Sequence, residues 1–88
     1  MPDSAALPLY LRTAEALIRD IAAGRLRDGE RLPPERVMAK ALGQSVGTLR
    51  KALADLERKG LLERRQGSGN YVRHRAEVDS VYAMFRLE

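Results

Sequence analysis

The side chains with the clearest chemical potential in this sequence are basic ones, and they are concentrated between positions 36 and 75. That stretch holds ten lysines and arginines against three acidic residues, whereas the whole chain of 88 residues has a net charge of +4. Lysine and arginine displace the counterions that condense on phosphates, so a basic block inside a folded unit indicates a polyanion such as nucleic acid as ligand. The charge alone is equally compatible with a solvated surface.

The sequence offers little material for catalysis or metal binding. It has no cysteine, and its one histidine, His74, has no second histidine or paired carboxylate at a ligand-like spacing. The sequence GSG at 67–69 is superficially like a phosphate-cradling loop, but no helix carrying Lys-Ser or Lys-Thr follows it. We therefore expect no enzyme activity, no metal and no cofactor.

The composition also bears on where the chain works. No apolar run approaches the roughly 20 residues that a membrane span needs, and the first ten residues lack the basic start and apolar stretch of a secretory signal. Without cysteine, disulfides cannot stabilise the fold. We expect a single cytoplasmic domain that makes no membrane contact.

Glycine and proline divide the basic region and its surroundings into three helices. Apolar residues recur at helical spacing from Tyr10 to Ala23, and Gly24 ends that helix. The segment 25–32 is predicted only to connect. Pro33-Pro34 starts a second helix that ends at Gly43, and Ser45 is an N-cap for a third that runs to Gly60. The predicted buried stripes are Val37, Met38, Ala41 and Leu42 on the second helix and Val46, Leu49, Ala52, Leu53 and Leu56 on the third.

A short helix, a glycine-containing turn and a second amphipathic helix form a helix-turn-helix. After Gly60, two β-prone runs flank the glycine-rich segment 66–69, which predicts a hairpin, or wing. Leu62, Tyr71 and Val72 are expected to pack the hairpin against the helices. The predicted fold is mainly α with a small β-hairpin: a winged helix-turn-helix of three helices plus a wing.

In a helix-turn-helix, the start of the second helix enters the major groove of DNA. Arg50 is the strongest candidate there, because its planar fork can donate two hydrogen bonds to guanine O6 and N7 or to phosphate. The alternative is an arginine paired with a nearby acid. Ser45 can equally be only a cap, and Thr48 only a structural first-turn residue. The candidate contacts on this helix are Ser45, Gly47, Thr48, Arg50 and Lys51.

Three further candidates lie outside that helix. Arg36 opens the second helix, where a positive side chain beside free helix N–H groups suits phosphate, although a solvated role is the alternative. Gln66 and Gly67, at the wing, could approach a minor groove. Their alternative is ordinary hairpin chemistry, which we prefer for Gly69.

These residues fall within a run that resembles a known family. The sequence LPPERVMAKALGQSVGTLRKALADLERKGLLERRQGSGNYV is similar to the reader domain of GntR-family bacterial transcription regulators, whose pattern is LP-x-ER-x-LA, then GVSR-x-TVRKAL, then G-x-L and a wing ending G-x-G-T-[FY]-V. With the upstream segment PLYLRTAEALIRDIAAGRLRDGERLP, the resemblance covers about residues 8–73. It implies that Arg36, Ser45, Thr48, Arg50, Gln66 and Gly67 contact DNA.

The sequence departs from the family pattern at three positions. Val46 stands where many members have a basic residue, Gly47 where a polar one is usual, and Asn70 replaces the common wing threonine. These departures change the expected operator sequence and affinity. They do not change the class of function.

The last dozen residues fit a three-helix core poorly. The segment VDSVYAMFRLE resembles the opening strand of the UTRA effector-binding domain of the HutC-like branch. We therefore expect a flexible N-terminus at 1–7, the DNA-binding domain at 8–73, and at 74–88 a linker and the start of an effector-binding domain that is missing from this chain.

The sequence thus predicts sequence-specific binding of double-stranded DNA by a ligand-responsive repressor, with the recognition helix 45–59 in the major groove and the wing near the minor groove. The resemblance implies a palindromic operator, a homodimer in the full-length protein and a small-molecule effector. The alternative is a winged helix used for protein–protein contact, which an apolar recognition face would favour.

Overall fold

The computed structural model describes residues 7–74, which form three helices followed by an antiparallel hairpin. The elements are α1 (Leu9–Ala22), α2 (Glu35–Leu42), α3 (Val46–Arg58), β1 (Leu62–Arg65) and β2 (Gly69–Val72). The predicted winged helix-turn-helix is confirmed. The UTRA-like tail at 78–88, and all but the last residue of the N-terminus expected to be flexible, lie outside the described residues.

The turn between α2 and α3 is built from three residues with separate tasks. Gly43 ends α2 in the left-handed conformation, with φ 69° and ψ 33°, which glycine adopts without steric cost. Gln44 donates a side-chain hydrogen bond of 2.6 Å to the hydroxyl of Thr13 on α1. Ser45 then caps α3, because its Oγ accepts the backbone N–H of Thr48 at 3.1 Å. The predicted cap is confirmed, and the turn is tied to α1.

The core lies between α1 and α3, and the hairpin covers one side of it. Leu49 and Ala52 on α3 are completely buried, and Val72 of β2 is equally inaccessible. The predicted stripe of α3 is confirmed, except that Val46 is only half-buried. The buried apolar residues are Ala14, Leu17, Ile21, Leu32, Met38, Ala39, Leu49, Ala52, Leu53, Leu56, Leu62 and Val72.

The predicted stripe of α2 was largely wrong. Met38 is buried as expected, but Val37 and Leu42 are 57% and 46% exposed, and Ala41 is also exposed. Ala39 takes the buried position instead. An eight-residue helix makes only about two turns, so its apolar residues fit more than one helical face, and packing against α3 selects the face.

Tyr71 was also assigned to the wrong side of the hairpin. In the observed register Leu62 lies opposite Val72 and Glu63 opposite Tyr71, and successive strand residues point to opposite faces. Leu62 and Val72 therefore face the helices, as predicted. Asn70 takes the third inward position, where it is 6% exposed, and Tyr71 lies on the other face.

The connector 25–32 does more than connect. Arg31 forms a β-bridge with Tyr71, on the free edge of β2. The amide of Leu32 donates to Asn70 O at 2.8 Å, and the amide of Val72 donates to Glu30 O at 2.8 Å. The expectation that this segment only links α1 to α2 was wrong, because β2 uses it as a second partner.

Candidate nucleic-acid interface

The first turn of α3 presents two hydroxyls at its solvent side. Ser45 is exposed and donates a side-chain hydrogen bond of 3.0 Å to Thr48 Oγ1, in addition to accepting the Thr48 amide. Thr48 is half-buried. The two residues stabilise the helix start as a pair, and their exposed atoms lie where a ligand meets the positive end of the helix.

Gly47 leaves the same turn open. A Cβ built there meets a single atom within 4 Å, Ser45 Oγ at 3.9 Å, so the fold itself has room for a side chain. The glycine therefore has no packing reason in residues 7–74. Its effect is to expose the backbone of the first turn to a close approach from outside.

Arg50 is tied to α2. Its Nε donates to Glu35 Oε1 at 2.7 Å, while 63% of the Arg50 side chain stays exposed. The acid-paired alternative considered for Arg50 is thus the geometry observed, yet it does not remove the residue from the surface. Pairing through Nε leaves both terminal guanidinium nitrogens without a hydrogen bond to residues 7–74, so they remain available as donors.

Glu35 joins four elements at one carboxylate. Besides Arg50, it accepts Arg64 Nη2 of β1 at 3.0 Å and Asn70 Nδ2 of β2 at 3.5 Å, all on Oε1 or Oε2 of a side chain that is 16% exposed. The hydrogen bond from Arg50 is the main cause of a lowered Glu35 pKa, and those from Arg64 and Asn70 add to it, although partial burial opposes them. The carboxylate is therefore ionised at neutral pH.

The other helical candidates differ in how they are held. Arg36, at the second position of α2, is exposed and makes no ion pair within residues 7–74. Lys51 is exposed too, but its ammonium lies 6.0 Å from the ring centroid of Tyr10 on α1. Arg36 is thus directly available to an anion, whereas Lys51 leans toward α1.

At the tip of the wing, Gln66 and Gly67 are both exposed, and Gly67 has a φ of 77° that the turn requires. Arg65 stacks on the Tyr71 ring with 4.2 Å between its guanidinium carbon and the ring centroid. Ser68 Oγ lies 2.5 Å from the Tyr71 hydroxyl. Tyr71 thus braces the hairpin on both sides of its tip.

Sequence reasoning missed the basic residues that flank the wing. A groove of about 700 Å³ lies between the wing and the start of α2, and its charged lining consists of three arginines and two glutamates: Arg31, Arg64, Arg65, Glu35 and Glu57. Arg31 lies across Gly69, where an added Cβ would sit 3.0 Å from Arg31 Nε and where φ is 132°. The charge of these arginines was visible in the sequence, but their convergence depends on the pairing of the connector with β2.

Other ligands find less support in the part of the chain that is described. Within residues 7–74, no three histidine, aspartate or glutamate side chains cluster as metal ligands would. Over the same range, no helix combines the length and apolar character needed to cross a bilayer. The exposed face at the start of α3 is polar and charged.

This combination of a capped, exposed helix start and an arginine-flanked wing defines the class of winged-helix DNA-binding regulators. Within that class, the chain belongs to the GntR family, because the family model described as "Bacterial regulatory proteins, gntR family" matches residues 9–72.

Individual relatives agree with this assignment. The HTH-type transcriptional regulator SmoD of Agrobacterium fabrum is 63% identical over 82 residues, which are 93% of this chain and 35% of SmoD. The mannosyl-D-glycerate transport/metabolism system repressor MngR of Escherichia coli is 41% identical over 80 residues, or 91% of this chain and 32% of MngR. The chain thus spans about a third of the length of these relatives.

A solved structure gives the same picture. The DNA-binding domain of AraR, crystallised in complex with operator ORX1, matches with a TM-score of 0.73 and 32% identity. The match covers 81% of this chain and 86% of that domain.

Proposed function

We propose that residues 8–73 bind double-stranded DNA sequence-specifically, with the recognition helix 45–59 in the major groove and the wing near the minor groove. The observation that carries the proposal is the Arg50 side chain on α3, which is 63% exposed and pairs with Glu35. Glu35 in turn lines the groove beside the wing together with Arg31, Arg64 and Arg65. The similarity to the AraR domain crystallised on its operator supports it.

In this arrangement Arg50 reads a base edge, because its outer edge can donate two parallel hydrogen bonds to guanine. Ser45 and Thr48 contact the neighbouring phosphate or base edge with the exposed atoms of their hydroxyls. Gly47 lets the backbone of the first turn approach the groove wall. Lys51 neutralises a phosphate at the rim of the groove, where its flexible side chain can move off Tyr10.

The remaining contacts fix the register of the protein on the duplex. Arg36 binds a backbone phosphate beside the N-terminus of α2, where the helix dipole also favours negative charge. Gln66 and Gly67 approach the minor groove from the tip of the wing. To the residues expected from the sequence we add Arg31 and Arg65, whose positions beside the wing suit the phosphates that border that groove.

For the whole protein, the proposal includes a C-terminal effector-binding domain of the UTRA kind, as in the HutC-like branch, to which residues 74–88 lead. The protein would bind a palindromic operator as a homodimer and respond to a small molecule as a repressor. The resemblance of residues 78–88 to a UTRA strand and the greater length of SmoD and MngR support this part, as does the description of MngR as a repressor.

Selection of bound sites from a pool of random duplexes tests the proposal. We expect a recurrent motif to be enriched. We also expect the logarithm of the affinity for the selected duplex to fall linearly with the logarithm of the salt concentration. Retention of no duplex at low salt, or retention without any enriched motif, would contradict sequence-specific binding. A chain that captured single strands as well as duplexes would contradict the groove-based arrangement.

A further inference from the structure

Glu35 is one of two glutamates, with Glu57, that line the groove beside three arginines. It is an ionised carboxylate at the junction of α2, α3 and the hairpin, where Arg50 and Arg64 both donate to it. On a surface that meets phosphates, a negative charge weakens attraction to every duplex alike, whatever its sequence. Because the Glu35 carboxylate lowers affinity for every duplex, we expect it to contribute something else to DNA binding.

The hydrogen bonds that Glu35 accepts indicate what this contribution is. An unpaired arginine on a helix surface has a long, flexible side chain that can reach many phosphates and several base edges. The Glu35 carboxylate takes the Nε donor of Arg50 at 2.7 Å and so fixes the plane of its guanidinium. Its other oxygen accepts Arg64 of β1 at 3.0 Å. The recognition helix and the wing are therefore both bound to the Glu35 carboxylate.

We propose that Glu35 is a positioning residue that determines specificity: it orients Arg50 for one base pair and restrains Arg50 and Arg64 from binding phosphates indiscriminately. The inference rests on the proposed function, since it assumes that α3 reads duplex DNA. It adds a residue that does not itself need to touch DNA.

The main variant is Glu35→Gln, which keeps the size of the side chain and removes its charge. The amide retains a single acceptor oxygen and turns an N–H₂ group toward donors, so it cannot hold Arg50 and Arg64 together. The matched control is Glu63→Gln. Glu63 also pairs with two arginines, Arg65 and Arg73, and its removal changes the net charge equally, but neither partner lies on α3.

The probes are the duplex selected by the wild-type chain and a duplex of random sequence, each titrated at several salt concentrations. For Glu35→Gln we expect affinity for random DNA to rise about threefold to tenfold, with a salt slope steeper by up to about one unit. The preference for the selected duplex should fall by about tenfold or more. For Glu63→Gln, affinity for the two duplexes should change together and leave the preference unaltered.

A purely structural role for Glu35 gives a different result. It would lower affinity for the two duplexes by the same factor, leave the preference unchanged and so overturn the inference. Glu35→Asp is a second variant that keeps the proposal testable if Glu35→Gln does not fold. It keeps the negative charge and withdraws the carboxylate by about 1.5 Å. It should raise affinity for random DNA less than Glu35→Gln does, because the negative charge is kept, and yet lose preference for the selected duplex. An unchanged preference in this variant overturns the inference even if Glu35→Gln does not melt cooperatively.

The two proposals fail in distinguishable ways. If the wild-type chain binds no duplex, or binds all duplexes equally, the proposed function fails before any variant is compared. If the wild type is selective and Glu35→Gln is equally selective, only the role of Glu35 fails.

Discussion

The basic residues at the two ends of α3 differ in the location of their acidic partners. At the C-terminal end, Arg58 and the C-cap residue Lys59 pair with Asp55 of α3 at 2.9 Å and 2.8 Å. At the N-terminal end, Arg50 pairs with Glu35, which lies on another helix. Asp55 and Glu35 both have a lowered pKa, caused first by the hydrogen bond from Lys59 in one case and from Arg50 in the other.

The difference is between a local and a tertiary ion pair. The pairs of Asp55 need only a helix, because residues three and four apart share a helical face. The pair of Arg50 exists only when α2, α3 and the hairpin have packed together. The end of α3 proposed to read DNA is thus the end whose charge geometry depends on the complete fold.

The largest expected effect comes from removing the packing on which that dependence rests. Leu49 is completely buried one residue before Arg50, so Leu49→Ala should lower the free energy of unfolding by about 2–5 kcal/mol. Thermal unfolding followed by circular dichroism measures the change. Leu42→Ala is the control: that leucine is 46% exposed and its truncation should change stability by less than about 0.5 kcal/mol.

The next effect separates the two ends directly. Arg50→Ala should weaken binding to the selected duplex by about 1–3 kcal/mol and relax the preference at one base pair, as measured by fluorescence anisotropy on single-substitution duplexes. Arg58→Ala removes the same charge at the other end of α3 and should leave base preference intact. Equal weakening by Arg50→Ala on every sequence would identify Arg50 as a phosphate contact instead.

A smaller effect is expected at the cap of the proposed reading end. Ser45→Ala removes the acceptor of the Thr48 amide and should lower the free energy of unfolding by about 1 kcal/mol. Chemical denaturation with an unchanged m-value is the measurement. Ser45→Thr keeps a capping oxygen and should recover most of the loss; if it recovers nothing, the cap is not the source of the stability.

The smallest effect is the pH dependence of the tertiary pair. Because the Glu35 pKa is lowered in the folded chain, its pairing contributes stability fully above the ordinary value of 4.5, and that stability is lost as pH falls through the folded pKa. We expect a contribution of less than about 1 kcal/mol, since both arginine partners are exposed. Unfolding between pH 7 and pH 3 should be less pH-dependent in Glu35→Gln than in the wild type, and equal dependence would exclude this contribution.

Much of the fold could be predicted because the residues that begin and end its helices act on their own or the neighbouring backbone. Pro33-Pro34, Gly43 and Ser45 each act through their own backbone or through the next turn of helix, so they indicate the ends of α2 and α3 directly. The stripe of α3 was predictable for a related reason. Thirteen residues make more than three turns, and only one face then satisfies all its apolar positions.

What could not be predicted depends on pairing between distant residues. Tyr71 and Asn70 exchange faces if the hairpin register shifts by one residue, and the sequence does not fix that register. The partner of Arg50 was foreseen only as an unspecified acid, because the approach of Glu35 follows from how α2 packs. The site residues proposed from the motif are exposed as expected, apart from the half-buried Thr48, while Arg31 required the bridge to Tyr71.

That bridge also bears on how the wing opens and closes. A hairpin joined to the domain only through its own base could fray independently of the helices. Here β2 is hydrogen-bonded on one side to β1 and on the other to the connector, through the amides of Leu32 and Val72. Breaking β2 away from the connector would release the amides of Leu32 and Val72 together, although they are far apart in the sequence. The wing and the connector therefore constitute one cooperative unit, whose amide protons should exchange with solvent together.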